Sequence, residues 1–185
     1  MAKVIIENSI FPLERALYNL KSALVKSCTF AGEEDGESAL KECRDVTLEG
    51  CSFELRYPLW HAKGYEMSGC EMTETVRAPI WYSDNGVIRN SRIDGIKCLR
   101  ECKNTYIENS QIVSDEFGWL CDGVRFESTE LTSQYLLFQS KNIEAKNLKM
   151  KGKYSFQYCE NVLIENSYLD TKDAFWHAKN VTVKD

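Results

Sequence analysis

Residues Asn161–Leu169 read NVLIENSYL. Val162 and Ile164 alternate with polar neighbours, which is the period of a half-buried strand. Asn166 and Ser167 break that strand, and Leu169 then turns a further apolar side chain inward. The phrase recurs as NTYIENSQI at Asn104–Ile112, NGVIRNSRI at Asn85–Ile93 and KVIIENSIF at Lys3–Phe11. Take the apolar residue two before the Asn as anchor. The chain then aligns on Ile6, Val25, Leu48, Met67, Ile88, Ile107, Phe126, Ala145, Ile164 and Val183. The spacings are 19, 23, 19 and 21, followed by 19 five times over. A fixed period near twenty marks a stacked repeat.

Other positions of the repeat hold their character. Five after the anchor, Phe30, Phe53, Met72, Ile93, Ile112, Leu131, Met150 and Leu169 are all large and apolar, whereas the residue three after is mostly small. Asn, Gly, Ser or Asp fills most positions two after and three before the anchor. Asn, Gly and Asp tolerate left-handed backbone. Stacked amides at these positions would bond from coil to coil as a ladder. Each unit is rich in β-formers, free of helical periodicity and too small to bury its own apolar face, so neighbours must stack. The spacing predicts an all-β fold, a single-stranded parallel β-helix of about nine coils of 19 residues. At about 4.8 Å per coil such a rod is roughly 43 Å long. Right-handed winding is expected from the usual chirality of parallel connections.

A chain of 185 residues with an unbroken repeat reads as one domain, 1–185. A net charge of −5 and the want of a recurring basic face argue against a nucleic-acid partner. No apolar run is long enough for a membrane span. With no charged-then-apolar leader at Met1, the chain reads as cytoplasmic. The eight cysteines fall largely into two small interior columns, Cys28, Cys51 and Cys70 in one and Cys43, Cys102, Cys121 and Cys159 in the other. They read as small buried hydrophobes, too far apart along the stack for a relaxed disulfide. With no CxxC or paired-His spacing, no metal or other cofactor is expected. Extra residues fall between Phe30 and Leu40 (AGEEDGESA) and between Met72 and Ile80, so both insertions bulge from one edge. The chain stops in mid-coil at Val181–Asp185, and an open coil there would pair with a second copy.

The phrases GESALKEC (Gly36–Cys43), RYPLWHA (Arg56–Ala62), RAPIWYS (Arg77–Ser83) and KDAFWHAKNVTVKD (Lys172–Asp185) resemble the DUF3737 family. The resemblance covers essentially the whole chain. It implies a bacterial protein of unassigned function with a right-handed, pectin-lyase-like β-helix, and it implies further coils past KNVTV, where this chain ends. It supplies no catalytic residues.

Candidate chemistry centres on the position seven before the anchor, which carries Trp60, Trp81, Arg100, Trp119 and Trp176. Its neighbour on the N-terminal side, with Leu40, Leu59, Ile80 and Leu99, must be interior, so the Trp column faces outward on a regular strand. Beyond it a bend intervenes, which leaves the facing of His61, Tyr82, Glu101, Tyr158 and His177 open. Aromatic faces grip the apolar faces of sugars. The candidate ligand site is therefore Arg56, Tyr57, Trp60, Arg77, Trp81, Arg100 and Trp119, with the acidic insertion Glu33, Glu34, Asp35 and Glu37 above it, and a glycan as partner. Stacked surface aromatics would equally shield a thin core. Arg56 and Glu37 are placed to pair on consecutive coils. The expected function is a non-catalytic binding or structural module. The alternative is a carbohydrate-active enzyme, lyase or hydrolase, which needs carboxylates clustered on one face. The acids here sit in a loop, and His61 and His177 are six coils apart.

Overall fold

The structure, a computed structural model, describes residues 4–33 and 37–185. Glu34 and Asp35 of the acidic insertion lie outside the described residues. Every regular element described is a β-strand, and among the described residues no helix is long and apolar enough to cross a membrane. A ten-stranded parallel sheet forms the first wall, running from Val4–Glu7 through Lys103–Glu108 to Lys179–Lys184. An eight-stranded parallel sheet, from Thr29–Phe30 to Tyr168–Lys172, forms the second. Successive strands of one sheet belong to successive turns, which makes the chain a parallel β-solenoid.

The predicted register holds at every coil. Ile6 pairs with Val25, Val25 with Leu48, and the anchors continue in step to Ile164 and Val183. In the second wall Phe53, Met72 and Ile93 pair in turn, and the column runs on to Met150 and Leu169. Both columns point inward, and from the second coil to Ile164 they are buried. Phe11, Phe30 and Phe53 stack with centroids 5.2 and 4.7 Å apart.

The third wall is built differently. In most coils three alternate residues have left-handed backbone: Tyr57, Leu59 and His61 in one coil, Ala78, Ile80 and Tyr82 in the next, Lys97, Leu99 and Glu101 in the third; the coils of Leu137 and Phe156 have two. Alternation of right- and left-handed residues keeps the segment extended enough to meet its neighbours. Tyr57 N donates to Arg77 O, Leu59 N to Ala39 O and His61 N to Trp81 O, so the cross-coil ladder continues without a regular strand. This is the bend expected between the leucine column and the small column. It sets Leu40, Leu59, Ile80 and Leu99 fully inside.

The Asn column three before the anchor forms the predicted ladder, whereas in the column two after it Asn147 donates to Glu127 instead. Asn85, Asn104, Asn142, Asn161 and Asn180 all have positive φ. Asn104 Nδ2 donates to Asn85 Oδ1 at 3.2 Å, Asn161 to Asn142 and Asn180 to Asn161, both at 3.0 Å. Asn142 donates to Asp122, and that hydrogen bond holds the Asp122 carboxyl below its usual range.

The small interior columns are buried as their residue types predict, and they do more than fill space. Their members are hydrogen-bonding groups as well as small ones. Ser83 Oγ donates to Leu59 O (2.7 Å), Ser140 Oγ to Gly118 O (2.6 Å) and Cys102 Sγ to Ile80 O (3.0 Å). Cys51 and Cys70 do the same to Val25 O and Leu48 O. Cys and Ser therefore interchange because each lends one donor to a carbonyl at the corner of the coil below. All eight thiols are free and buried, and burial pushes Cys43 and Cys159 up to about 12.

Candidate functional site

The aromatic column stands on the third wall, where left-handed residues on either side turn it out. Trp60, Trp81 and Trp119 are half-buried and Trp176 is exposed. The indole rings of Trp60 and Trp81 have centroids 5.2 Å apart and lie 6° from parallel. The Arg100 guanidinium then sits 4.7 Å over Trp81 and 5.1 Å from Trp119. Trp119 meets Phe138 at a tilt, Phe138 meets Tyr158 of the neighbouring column edge-on, and Tyr158 meets Trp176 at a tilt. A continuous run of ring and cation contacts thus follows the rod axis, with Tyr57 tilted against Trp60.

The indole nitrogens are occupied too. Trp60 Nε1 donates to Ala78 O (2.7 Å), Trp81 Nε1 to Lys97 O (2.6 Å) and Trp119 Nε1 to Tyr135 O (3.0 Å). Each acceptor belongs to the coil above, at the equivalent position of the repeat, left-handed at Ala78 and Lys97 and in a strand at Tyr135. Gln157, the column's buried amide, reaches the matching carbonyl of Asp173 at 3.5 Å. Trp and Gln share the position because both carry an N–H at that reach. The column therefore clamps coil to coil.

Of the other candidates, Arg56 pairs with Glu37 at 2.5 Å, as the spacing predicts. Arg77 is exposed and lies one coil above. Glu33 is exposed and the described structure records no ion pair for it. Arg100 also meets Glu116 (3.6 Å), which Lys97 shares at 3.4 Å. His61 is exposed and stacks on Tyr82, and His177 stacks likewise on Tyr158, both at 5.0 Å. The open question of their facing is thus answered: this column lies outside. Among the described residues no cluster of three or more His, Cys, Asp or Glu is placed to hold a metal ion.

Two features escaped the sequence reading. One is a basic ladder on the first wall, Lys21 paired with Arg44 and Arg44 with Lys63. Beyond it the same column alternates in sign, Lys63, Asp84, Lys103, Asp122, Lys141, Glu160, Lys179. The other is a trough of about 440 Å³ on the outer face of the second wall, running from Gln111 to Tyr168. Reading the outward columns at four and six after the anchor would have found its banks.

Among solved structures, the chain is similar to PfbA, a surface adhesin of Streptococcus pneumoniae, at 8% identity and a TM-score of 0.38, covering 100% of this chain and 77% of that one. It is also similar to a plasmid-mediated fluoroquinolone resistance protein, at 11% identity and a TM-score of 0.33, covering 91% and 90%. HetL, a pentapeptide repeat protein of the cyanobacterium Nostoc, matches at 10% identity and a TM-score of 0.26, covering 94% and 86%. No curated protein matches the sequence. The family model described as a protein of unknown function, DUF3737, matches residues 4–185, and the chain belongs to that family.

Proposed function

We propose that the protein is a non-catalytic binding module whose third wall meets a protein partner. The observation that carries this reading is the state of the ring faces. Trp60 and Trp81 cover each other, Arg100 lies between Trp81 and Trp119, and Phe138 packs against Trp119, so ring faces are taken up within the column. A sugar stacks on a free face, whereas a protein surface packs against a flat strip of aromatic edges and charges. Leu120, Tyr158 and Trp176 extend that strip as exposed apolar side chains. Trp, Tyr and Arg are the residues that dominate protein interfaces. A carbohydrate-active enzyme would use carboxylates facing one another across a substrate. Here Glu37 and Glu116 are tied to Arg56 and to Lys97 and Arg100.

Photo-crosslinking tests the reading. A benzophenone side chain at Tyr158 is expected to capture one defined protein from the source cell, and Leu120→Glu to abolish that capture at unchanged melting temperature. A crosslinker at Val113 on the second wall serves as control. Equal capture from both walls, or capture indifferent to Leu120→Glu, would overturn the proposal.

A further inference from the structure

We propose that the trough on the outer face of the second wall binds a neutral, linear oligosaccharide. This goes beyond the third-wall reading and does not depend on it.

The trough follows from strand geometry. Gln111, Glu130, Lys149 and Tyr168 pair in register on four consecutive coils, and so do Val113, Thr132, Lys151 and Asp170. Between these columns Ile112, Leu131 and Met150 point into the core. Outward side chains two residues apart stand about 6.6 Å from one another. They form two banks, and the peptide backbone between them is the floor. At the N-terminal side Arg92 crosses from one bank to Asp94 on the other at 3.5 Å and closes the channel. What remains open is an axial slot spanning four coils, about 440 Å³ in volume.

The lining chooses the ligand. Tyr168 is 69% exposed and, unlike the third-wall rings, makes no ring contact among the described residues, so its face is free. A free ring face against the apolar face of a sugar is a favourable arrangement. Glu130 and Lys149 neutralise each other at 3.1 Å. Lys151 and Asp170, one of each sign and without an ion pair among the described residues, are left to bond hydroxyls, together with Thr132 and Gln111. The two acids and two lysines cancel, which disfavours a uronate or phosphate chain. Val113, half-exposed, adds apolar surface on the far bank. The coil step of about 4.8 Å is close to the length of one pyranose, so each coil meets one ring.

The test is isothermal titration calorimetry on the full chain with cellohexaose, xylohexaose, mannohexaose and maltohexaose, and with trigalacturonate as charged control. At least one neutral hexaose is expected to bind with a Kd below about 1 mM. Tyr168→Ala, at an exposed position, should keep the melting temperature and weaken that binding about tenfold. Tyr158→Ala on the third wall should bind as the unchanged protein does. The proposal is overturned if no neutral hexaose binds at about 5 mM, if Tyr168→Ala binds undiminished, if Tyr158→Ala weakens binding equally, or if trigalacturonate binds better. Because the variants lie on different walls, failure here leaves the third-wall reading standing, and the reverse.

Discussion

Replacing Gly86 by alanine puts one methyl group where the fold has no room for it. A Cβ at Gly86 would lie 2.1 Å from both Cζ and Oη of Tyr65 and 2.6 Å from its Cε1. Tyr65 is paired with Gly86 in the coil below, Thr105 with Gly86 in the coil above, and all three point inward. The tyrosine is 1% exposed and leans across Gly86, so that its hydroxyl lies beside that of Thr105 without the alignment of a full hydrogen bond. Gly86 has no positive φ, so alanine suits the backbone and only space forbids it. Overpacking a close-packed core costs about 1–3 kcal/mol, and a ring that must move by more than an ångström belongs at the upper end. The smaller denatured-state entropy of alanine returns about 0.5 kcal/mol. A net loss of about 2 kcal/mol should lower the melting temperature by roughly 4–8 °C at this chain length. Urea denaturation followed by circular dichroism would measure it, with the cycle completed by Tyr65→Val alone and with Gly86→Ala. Valine opens the space that the methyl needs, so the pair should be coupled by about 2 kcal/mol in the rescuing sense. Strict additivity, or a neutral Gly86→Ala, would refute the reasoning. Tyr65→Phe serves as a control and should change stability by less than about 1 kcal/mol, because the hydroxyl it removes is poorly partnered.

Arg100→Ala leaves Trp81 and Trp119 without the cation between them and should cost about 1–2 kcal/mol with a red shift of tryptophan emission. Arg100→Lys should recover less than half, since a point charge cannot stack on two rings; full recovery would show that charge alone matters. Arg44→Glu would convert the like-charged Lys21–Arg44–Lys63 ladder into the alternating pattern found above it. It should raise stability by about 0.5 kcal/mol at low salt and by less in 1 M NaCl, and a loss at low salt would contradict the argument. Cys43 and Cys159 are held protonated by burial, raised from 9.0 to about 12. Below pH 9 the folded and unfolded chains bind these protons alike. Between pH 9 and 12 the unfolded chain releases them first, so stability should fall by about 1.4 kcal/mol per pH unit per thiol. Denaturation midpoints that stay flat for the wild type, or fall as steeply in Cys43→Ala/Cys159→Ala, would count against that burial.

Particular residues show where sequence reading stops. Asn85, Asn104 and Asn161 announce their left-handed backbone by type, and the ladder between them follows. Leu59, Ile80 and Leu99 adopt the same backbone and announce nothing. A β-carbon makes that conformation costly for an isolated residue, and it persists because each of these amides finds a carbonyl in the coil below, as Ile80 N finds Pro58 O. The tryptophan column was legible as a column, and its outward position followed from the leucines beside it. Its use was not legible. Whether an indole offers its face to a ligand or to the next indole depends on χ angles that the neighbouring coil decides.

Residue type and spacing alone were enough to set the repeat, its register and the inner columns. Apolar burial at a fixed period leaves only one stacking that closes the core. The alternating backbone of the third wall, the clamp of indole on carbonyl and the trough from Gln111 to Tyr168 emerge only once the coils are stacked. Each of these depends on which atoms of one coil meet which atoms of the next.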